Sequence, residues 1–285
     1  TALVDVRAGG GGSIAVNFRN LNLAGGGVIV AGIGQNLGTT GAVAGDIDIN
    51  AQGAVTIEGV GRFPEGFFSS GIFNNVNQGG TGTGGNINIR SSSLSLTDGG
   101  VISTSTFGQG NTGKVIIDVG DTLTINGVSR VETADGVRTF PSGIFSTVEQ
   151  LPEGLQSDRR GGDINIKARS LSLTDGSRLN ASTYGQGNAG NINIDIGDAV
   201  FITGVGVNDF RSGIFSNVEQ GGRGGGGNIN LKSNSLSLVD GGIVTASVLG
   251  QGDAANVTID VDDISIDGVR VSGEQNFASG VFSIV

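Results

Sequence analysis

Apolar residues recur at every second position, in short runs, along almost the whole chain. Ile87 and Ile89, then Leu94 and Leu96, then Val101 with the segment Ser-Thr-Ser-Thr-Phe, make one set of three runs. Ile116, then Leu123 and Ile125, then Ile144 with Val148, make the next. A period of two marks strands that bury one face. The middle runs end on Asp98-Gly99, Asn126-Gly127, Asp175-Gly176, Asp240-Gly241 and Asp267-Gly268. Such pairs supply the left-handed backbone of a tight corner. They also suit hairpins, so an antiparallel meander is the rival topology. Three runs repeated in the same order favour a coil.

The repetition is explicit. "SLSLTDGGVISTSTFGQGNTG" (Ser93–Gly113) returns as "SLSLTDGSRLNASTYGQGNAG" (Ser170–Gly190) and "SLSLVDGGIVTASVLGQGDAA" (Ser235–Ala255). Four units, 13–78, 86–150, 163–220 and 228–285, close on "SGIFNNVNQ", "SGIFSTVEQ", "SGIFSNVEQ" and "SGVFSIV". Each divides into two similar halves, the second opening at Asp46, Lys114, Asn191 or Asn256. The first halves hold nearly one length. The second halves absorb insertions at Gly61–Phe68, Ser129–Pro141, Gly206–Arg211 and Arg270–Ala278, and a further one follows the second unit at Leu151–Arg160. The expected fold is all-β: one right-handed parallel β-helix, a solenoid of about eight coils with three strands each. Stacking the halves predicts a row of alternating charge, Arg90, Asp118, Lys167, Asp195, Lys232 and Asp260, with Asn17 and Asn50 in the first unit; opposite charges on neighbouring strands attract and help fix register. The chain opens on "ALVDV" and stops on "SGVFSIV", in mid-pattern. A piece of a longer protein is expected, with open terminal coils available for end-to-end or lateral self-association.

Composition then narrows the chemistry. The 285 residues include 55 glycines and no Cys, His, Met or Trp, and the net charge is −10. That charge disfavours nucleic acid, which needs clustered cations. Without His or Cys, the usual general base, the commonest metal ligand and thiolate chemistry are missing. No catalytic, cofactor or metal site is predicted. Asp260, Asp262 and Asp263 form the densest acidic cluster, but Asp118/Asp121 and Asp195/Asp198 occupy related places, so it reads as repeat architecture. A polysaccharide-cleaving β-helix is the lesser reading. "GGTGTGG" and "GGRGGGG" lack the Lys-Ser/Thr of a phosphate loop and read as corners.

Two aromatic sets stand out. Phe73, Phe145, Phe215 and Phe282 share one place in the "SGIF" strand and are expected to form a core ladder. Phe68, Phe140, Phe210 and Phe277 end the insertions. They are expected to cap the strand edge or to form an apolar stripe for a partner.

The segments "GGNINIRSSSLSLTDGGVISTSTFGQGNTG", its two later copies and the "SGIFSxVEQ" closures resemble the filamentous-haemagglutinin-like exoproteins of two-partner secretion, especially the large cyanobacterial kind. The likeness covers nearly all of the chain beyond about Gly25. It implies a β-helical shaft exported through an outer-membrane partner and displayed at the cell surface, as an adhesin or as a passive fibre or matrix component. Variable loops on a rigid scaffold are where binding usually resides. The candidate partner-binding residues are therefore Arg62, Phe68, Arg130, Arg138, Phe140, Arg159, Arg160, Phe210, Arg211, Arg270 and Phe277, all in the insertions, which are expected along one side of the shaft. Their arginines on an otherwise acidic rod point to an acidic surface glycan, with a protein receptor as the alternative.

Overall fold

The computed structural model describes residues 3–63, 66–133, 135–153, 155, 158–272 and 274–285. Parts of four predicted insertions lie outside these: Pro64, Glu65, Ala134, Gly154, Gln156, Ser157 and Gly273.

Three parallel ladders organise the chain. The first starts at Ile14–Phe18 and passes through Ile47–Ala51, Ile87–Ser91, Val115–Val119, Ile164–Ala168 and Ile192–Ile196. The second starts at Leu21–Ala24 and passes through Ala54–Glu58, Ser93–Thr97, Thr122–Asn126, Ser170–Thr174 and Ala199–Thr203. Both end in Ile229–Val239 and Val257–Asp267, long strands that run through the two ladders and join them into one sheet. The third ladder is a separate sheet running from Leu3–Asp5 through Val28–Ile33, Gly71–Val76 and Val101–Ser103 to Gly280–Phe282. The chain is an all-β parallel solenoid, and no α-helix lies among the described residues. Among these residues, antiparallel pairing is confined to three insertion hairpins and a Val205–Arg211 bridge, which excludes the meander.

The core follows from the period of two. Each ladder sends aliphatic side chains inward at stacked positions. In the third, Ile72, Ile102, Ile144, Leu179 and Ile214 are all fully buried. One inward position differs from the expectation. Val115 and Ile117 are buried, whereas Ile116 points outward, 40% exposed, opposite Asn88 and Asn165. "KVIID" is apolar at three consecutive positions, so alternation alone does not choose the face.

Register is held by polar rows. The side-chain oxygen of Asp46 accepts the Asn86 amide at 2.7 Å, and Asn86 accepts that of Lys114 at 2.9 Å. Beyond Lys114, the row resumes from Asp163 to Asn191 at 3.1 Å, Asn191 to Asn228 at 2.9 Å and Asn228 to Asn256 at 3.0 Å. Lys114 has no acceptor to offer, and its ammonium instead pairs with Asp163 at 2.9 Å. Burial pushes the Asp163 carboxyl up, but Lys114 and the Asn191 amides outweigh it and leave the carboxyl below its ordinary value. The charged row also comes into register: Arg90 faces Asp118, then Lys167, Asp195, Lys232 and Asp260, with Asn50 and Asn17 below. No direct ion pair joins these side chains among the described residues. The row favours one register by its order of charge rather than by bonded pairs.

The predicted corners divide into two kinds. Asp98, Asp175 and Asp240 take positive φ of 51°, 53° and 49°. At Asn126-Gly127 and Asp267-Gly268 only the glycine does, at 82° and 81°. The closure motif Ser-Gly-Ile-Phe seals these corners. The buried Ser142 hydroxyl accepts the Gly99 amide at 2.9 Å and donates to the Asn126 carbonyl at 2.7 Å, tying one corner to the next. Ser70, Ser212 and Ser279 hold Gly26, Gly176 and Gly241 in the same way. Ser142→Ala strands the buried Gly99 N–H, while the Asn126 carbonyl keeps the Asp98 amide at 3.2 Å. It should cost about 1–2 kcal/mol. Ser95→Ala, in the second ladder, should stay within about 0.5 kcal/mol. Equal urea midpoints for the two variants would refute the clip.

Candidate binding trough

The "SGIF" phenylalanines are not a core ladder. In Gly143–Phe145, Ile144 is fully buried, so Phe145 two positions after Gly143 must lie on the outer face. Phe73, Phe215 and Phe282 take the same face, and of these Phe215 is buried, at 8% exposure, against the Arg178 guanidinium rather than in the solenoid core. The ring folds back over the preceding glycine: a Cβ on Gly71 would lie 2.6 Å from the Phe73 ring. The motif therefore reads as clip, seat, core and ring. Reading the phenylalanines as core overlooked that an apolar residue next to a core isoleucine in a strand must point the other way.

Neighbouring strands alternate on this outer face. Phe73, Phe145 and Phe215 sit in alternate strands, with Ser103 and Asn180 between them. Four insertions leave the chain at one corner, between the second and third ladders, and two of them fold into hairpins that flank the row: Val60–Phe63 with Gly66–Ser69, and Val128–Thr133 with Gly136–Pro141. Together they enclose a trough of about 920 Å³. It runs from Leu3 to Arg178, five strand spacings, or about 24 Å at ~4.8 Å each. Its apolar wall holds Phe63, Phe67, Phe68 and Phe140. Its floor holds Phe73 and Phe145, and its polar margin holds Asn75, Ser105, Thr147 and Glu149.

The far end is built by one departure from the repeat. Arg178 stands where Val101 and Ile243 stand in the related halves, and Tyr184 replaces Phe107 and Leu249. The Arg178 guanidinium lies 4.6 Å from the Phe210 ring centroid and 5.0 Å from that of Phe215. Its Nε is buried without a hydrogen-bond partner, and no carboxylate pairs with it among the described residues. Burial holds the guanidinium below its ordinary pKa, against the opposing pull of Tyr184 and Glu219. Burial likewise raises the Tyr184 phenol, whose oxygen accepts a hydrogen bond from Asn180 at 3.1 Å. The signal for this cluster was present in the sequence: Tyr184 is the chain's single tyrosine, and "DGSRLN" breaks the "DGGVIS" and "DGGIVT" pattern.

The predicted site residues separate. Phe68, Phe140 and Phe210 line the trough, and Phe68 is 47% exposed. Phe140 also packs its Cβ over the Gly99 corner, as Phe277 does over Gly241. Arg62 lies outside the trough lining, 5.8 Å from the Phe67 ring centroid. Arg130 and Arg138 are exposed on the 128–141 hairpin, Arg130 4.0 Å from Glu132. Arg211 is half-buried, donates to the carbonyls of Gly241 and Ala278, and lies 5.8 Å from the Phe277 ring centroid. Arg270, exposed, is paired across its hairpin with Phe277. The expectation of a single loop-bearing side needs correcting, because Leu151–Arg160 leaves after the third ladder, at a different corner. Arg160 is exposed there, but Arg159 is buried at 3% exposure and is not a surface cation. Among the described residues no three acidic side chains converge on a metal-binding geometry, so Asp260, Asp262 and Asp263 form no such group.

No family model, curated protein or solved structure matches the chain.

Proposed function

We propose that this chain is a stretch of right-handed parallel β-helix, about eight coils of three strands, that serves as the non-catalytic shaft of a surface adhesin. The observation that carries the reading is the trough: an aromatic floor repeated along a stacked scaffold, walled by hairpins inserted without breaking the ladders. A parallel solenoid fits the shaft of a filamentous-haemagglutinin-like exoprotein, exported through an outer-membrane partner and held at the cell surface. Nothing in such a scaffold calls for a reacting group. Its turns template one another, and side chains on the outer face are free to vary.

The hairpin walls supply the test. Phe67 and Phe68 line the trough from the hairpin of Val60–Phe63 with Gly66–Ser69, and both can be replaced by Ser. Stability should change by less than about 1 kcal/mol, because neither ring is part of the solenoid core. Attachment of the protein to cells or extracellular matrix should fall at least tenfold. Undiminished attachment would sink the trough as the adhesive surface and favour a passive fibre. Depolymerisation of a polysaccharide by the purified protein would overturn the non-catalytic reading.

A further inference from the structure

We propose that the trough holds an extended acidic polysaccharide, its sugar rings against Phe73 and Phe145 and a carboxylate on Arg178. The inference rests on the reading of the trough as the attachment surface and names what it attaches to.

Three observations converge. The first is the unpartnered cation. An arginine placed among aromatic rings, with a buried Nε and no ion pair among the described residues, carries a desolvation cost that an anionic ligand would offset. The nearby carboxylates act on it at most from a distance: Glu149 accepts the Thr147 hydroxyl at 2.6 Å, Glu219 accepts the Asn217 amide at 3.0 Å, and neither bonds to the guanidinium. Arg7, at the opposite end of the trough, is neutralised by Asp5 at 2.6 Å. Charge complementarity is thus focused on Arg178, within a chain of net charge −10.

The second is the period. Phe73 and Phe145 sit two strands apart, about 9.6 Å at twice the ~4.8 Å strand spacing. An extended β-1,4-linked glycan presents the same ring face at every second sugar. An apolar floor repeating every second strand, with Asn75 at its polar margin held by the Ser103 hydroxyl at 2.9 Å, matches a polymer that repeats every second unit.

The third is the kind of surface. The floor is the outer face of a sheet whose backbone groups are spent in the ladder. A peptide joining as an extra strand would need an open edge, and this floor offers none. Recognition falls to side chains, which suits rings and hydroxyls.

Binding of oligomannuronate and of its neutral counterpart, β-1,4-linked manno-oligosaccharide of equal length, tests this by calorimetry. The wild-type protein should prefer the acidic oligomer at least tenfold. Arg178→Val places the valine of the equivalent position 101 in the row, and should abolish the preference, so that the variant binds the acidic and neutral oligomers equally. Arg178→Gln, closer in length, is the second variant should the first fail to fold. Phe145→Ala should weaken both oligomers. Wild-type affinity for oligomannuronate in an Arg178 variant, equal binding of both oligomers by the wild type, or binding of neither would overturn the inference. If attachment to cells or matrix persists without oligosaccharide affinity, this inference falls and the adhesive shaft stands. If attachment also survives replacement of Phe67 and Phe68 by Ser, the underlying reading falls with it.

Discussion

Gly110→Ala is expected to destabilise the protein by about 3–5 kcal/mol, although it adds a single methyl group. Gly110 holds φ of +154°, and Gly82, Gly187, Gly224 and Gly252 in neighbouring turns hold +142°, +138°, +147° and +145°. That region is closed to residues bearing a Cβ. Space is refused as well, since a Cβ on Gly110 would overlap the carbonyl oxygen of Gly82 directly beneath it. The obstacle is backbone, not a flexible side chain, so relief requires the two turns to separate. In a stacked repeat each turn contacts its neighbours alone, and the damage should be local at first. Hydrogen exchange should show protection around Thr81 and Gln109, which bridge here, lost at lower urea than in the rest of the chain, and the midpoint of global unfolding should fall as well. The control is Gly120→Ala. A Cβ there meets nothing nearer than 3.9 Å and the backbone is not left-handed, so the change should be neutral or stabilising by up to about 1 kcal/mol. Similar midpoints for the two variants would remove the argument that stacking, rather than glycine content as such, requires Gly110.

What was legible in the sequence was what repeats. Period-two runs, Asx-Gly corners and the alternating row from Arg90 to Asp260 all come from residues that recur with fixed spacing, and the ladders set that row in register. The facing of particular residues was less legible. Ile116 and the four "SGIF" phenylalanines are apolar yet point outward, because a strand lined on both faces by apolar residues does not announce its inside. The trough was legible only in its wall, where the sequence marks Phe68, Phe140 and Phe210 as a candidate apolar stripe. Its walls are the hairpins that directly precede Phe73 and Phe145, but its floor depends on the outward facing of those rings, and its distinguishing cation is a departure from the repeat. Arg178 and Tyr184 break the repeat, so recurrence does not point to them.

Arg159 and Arg160 show the same lesson as a measurable contrast. Adjacent and identical in type, they were alike as candidate surface cations. Arg159 instead falls in the corner row between Gly110 and Gly187, where a Cβ on Gly187 would overlap the Arg159 carbonyl oxygen. Its side chain is 3% exposed, and it donates to the Gly108 carbonyl on one side at 3.3 Å and to the Gln186 carbonyl on the other at 3.2 Å. The guanidinium thus bridges the turns before and after its own, at the corner where the Leu151–Arg160 insertion interrupts the stack. Burial lowers its pKa below the ordinary value, with Glu149 opposing, but the group remains a cation. Hydrogen bonds from a charged donor contribute about 1.5–3 kcal/mol each, and the buried, unbonded Nη2 subtracts from the total. Arg159→Ala should therefore cost about 2–3 kcal/mol, and its binding to cells or glycans, measured below its melting range, should match the wild type. Arg160 is exposed, and its backbone amide rather than its side chain meets Asn111 at 2.8 Å. Arg160→Ala should leave stability within about 0.5 kcal/mol. Equal stability losses in the two variants would show that the Arg159 contacts contribute nothing; a selective loss of binding in Arg159→Ala at full stability would return it to the partner surface.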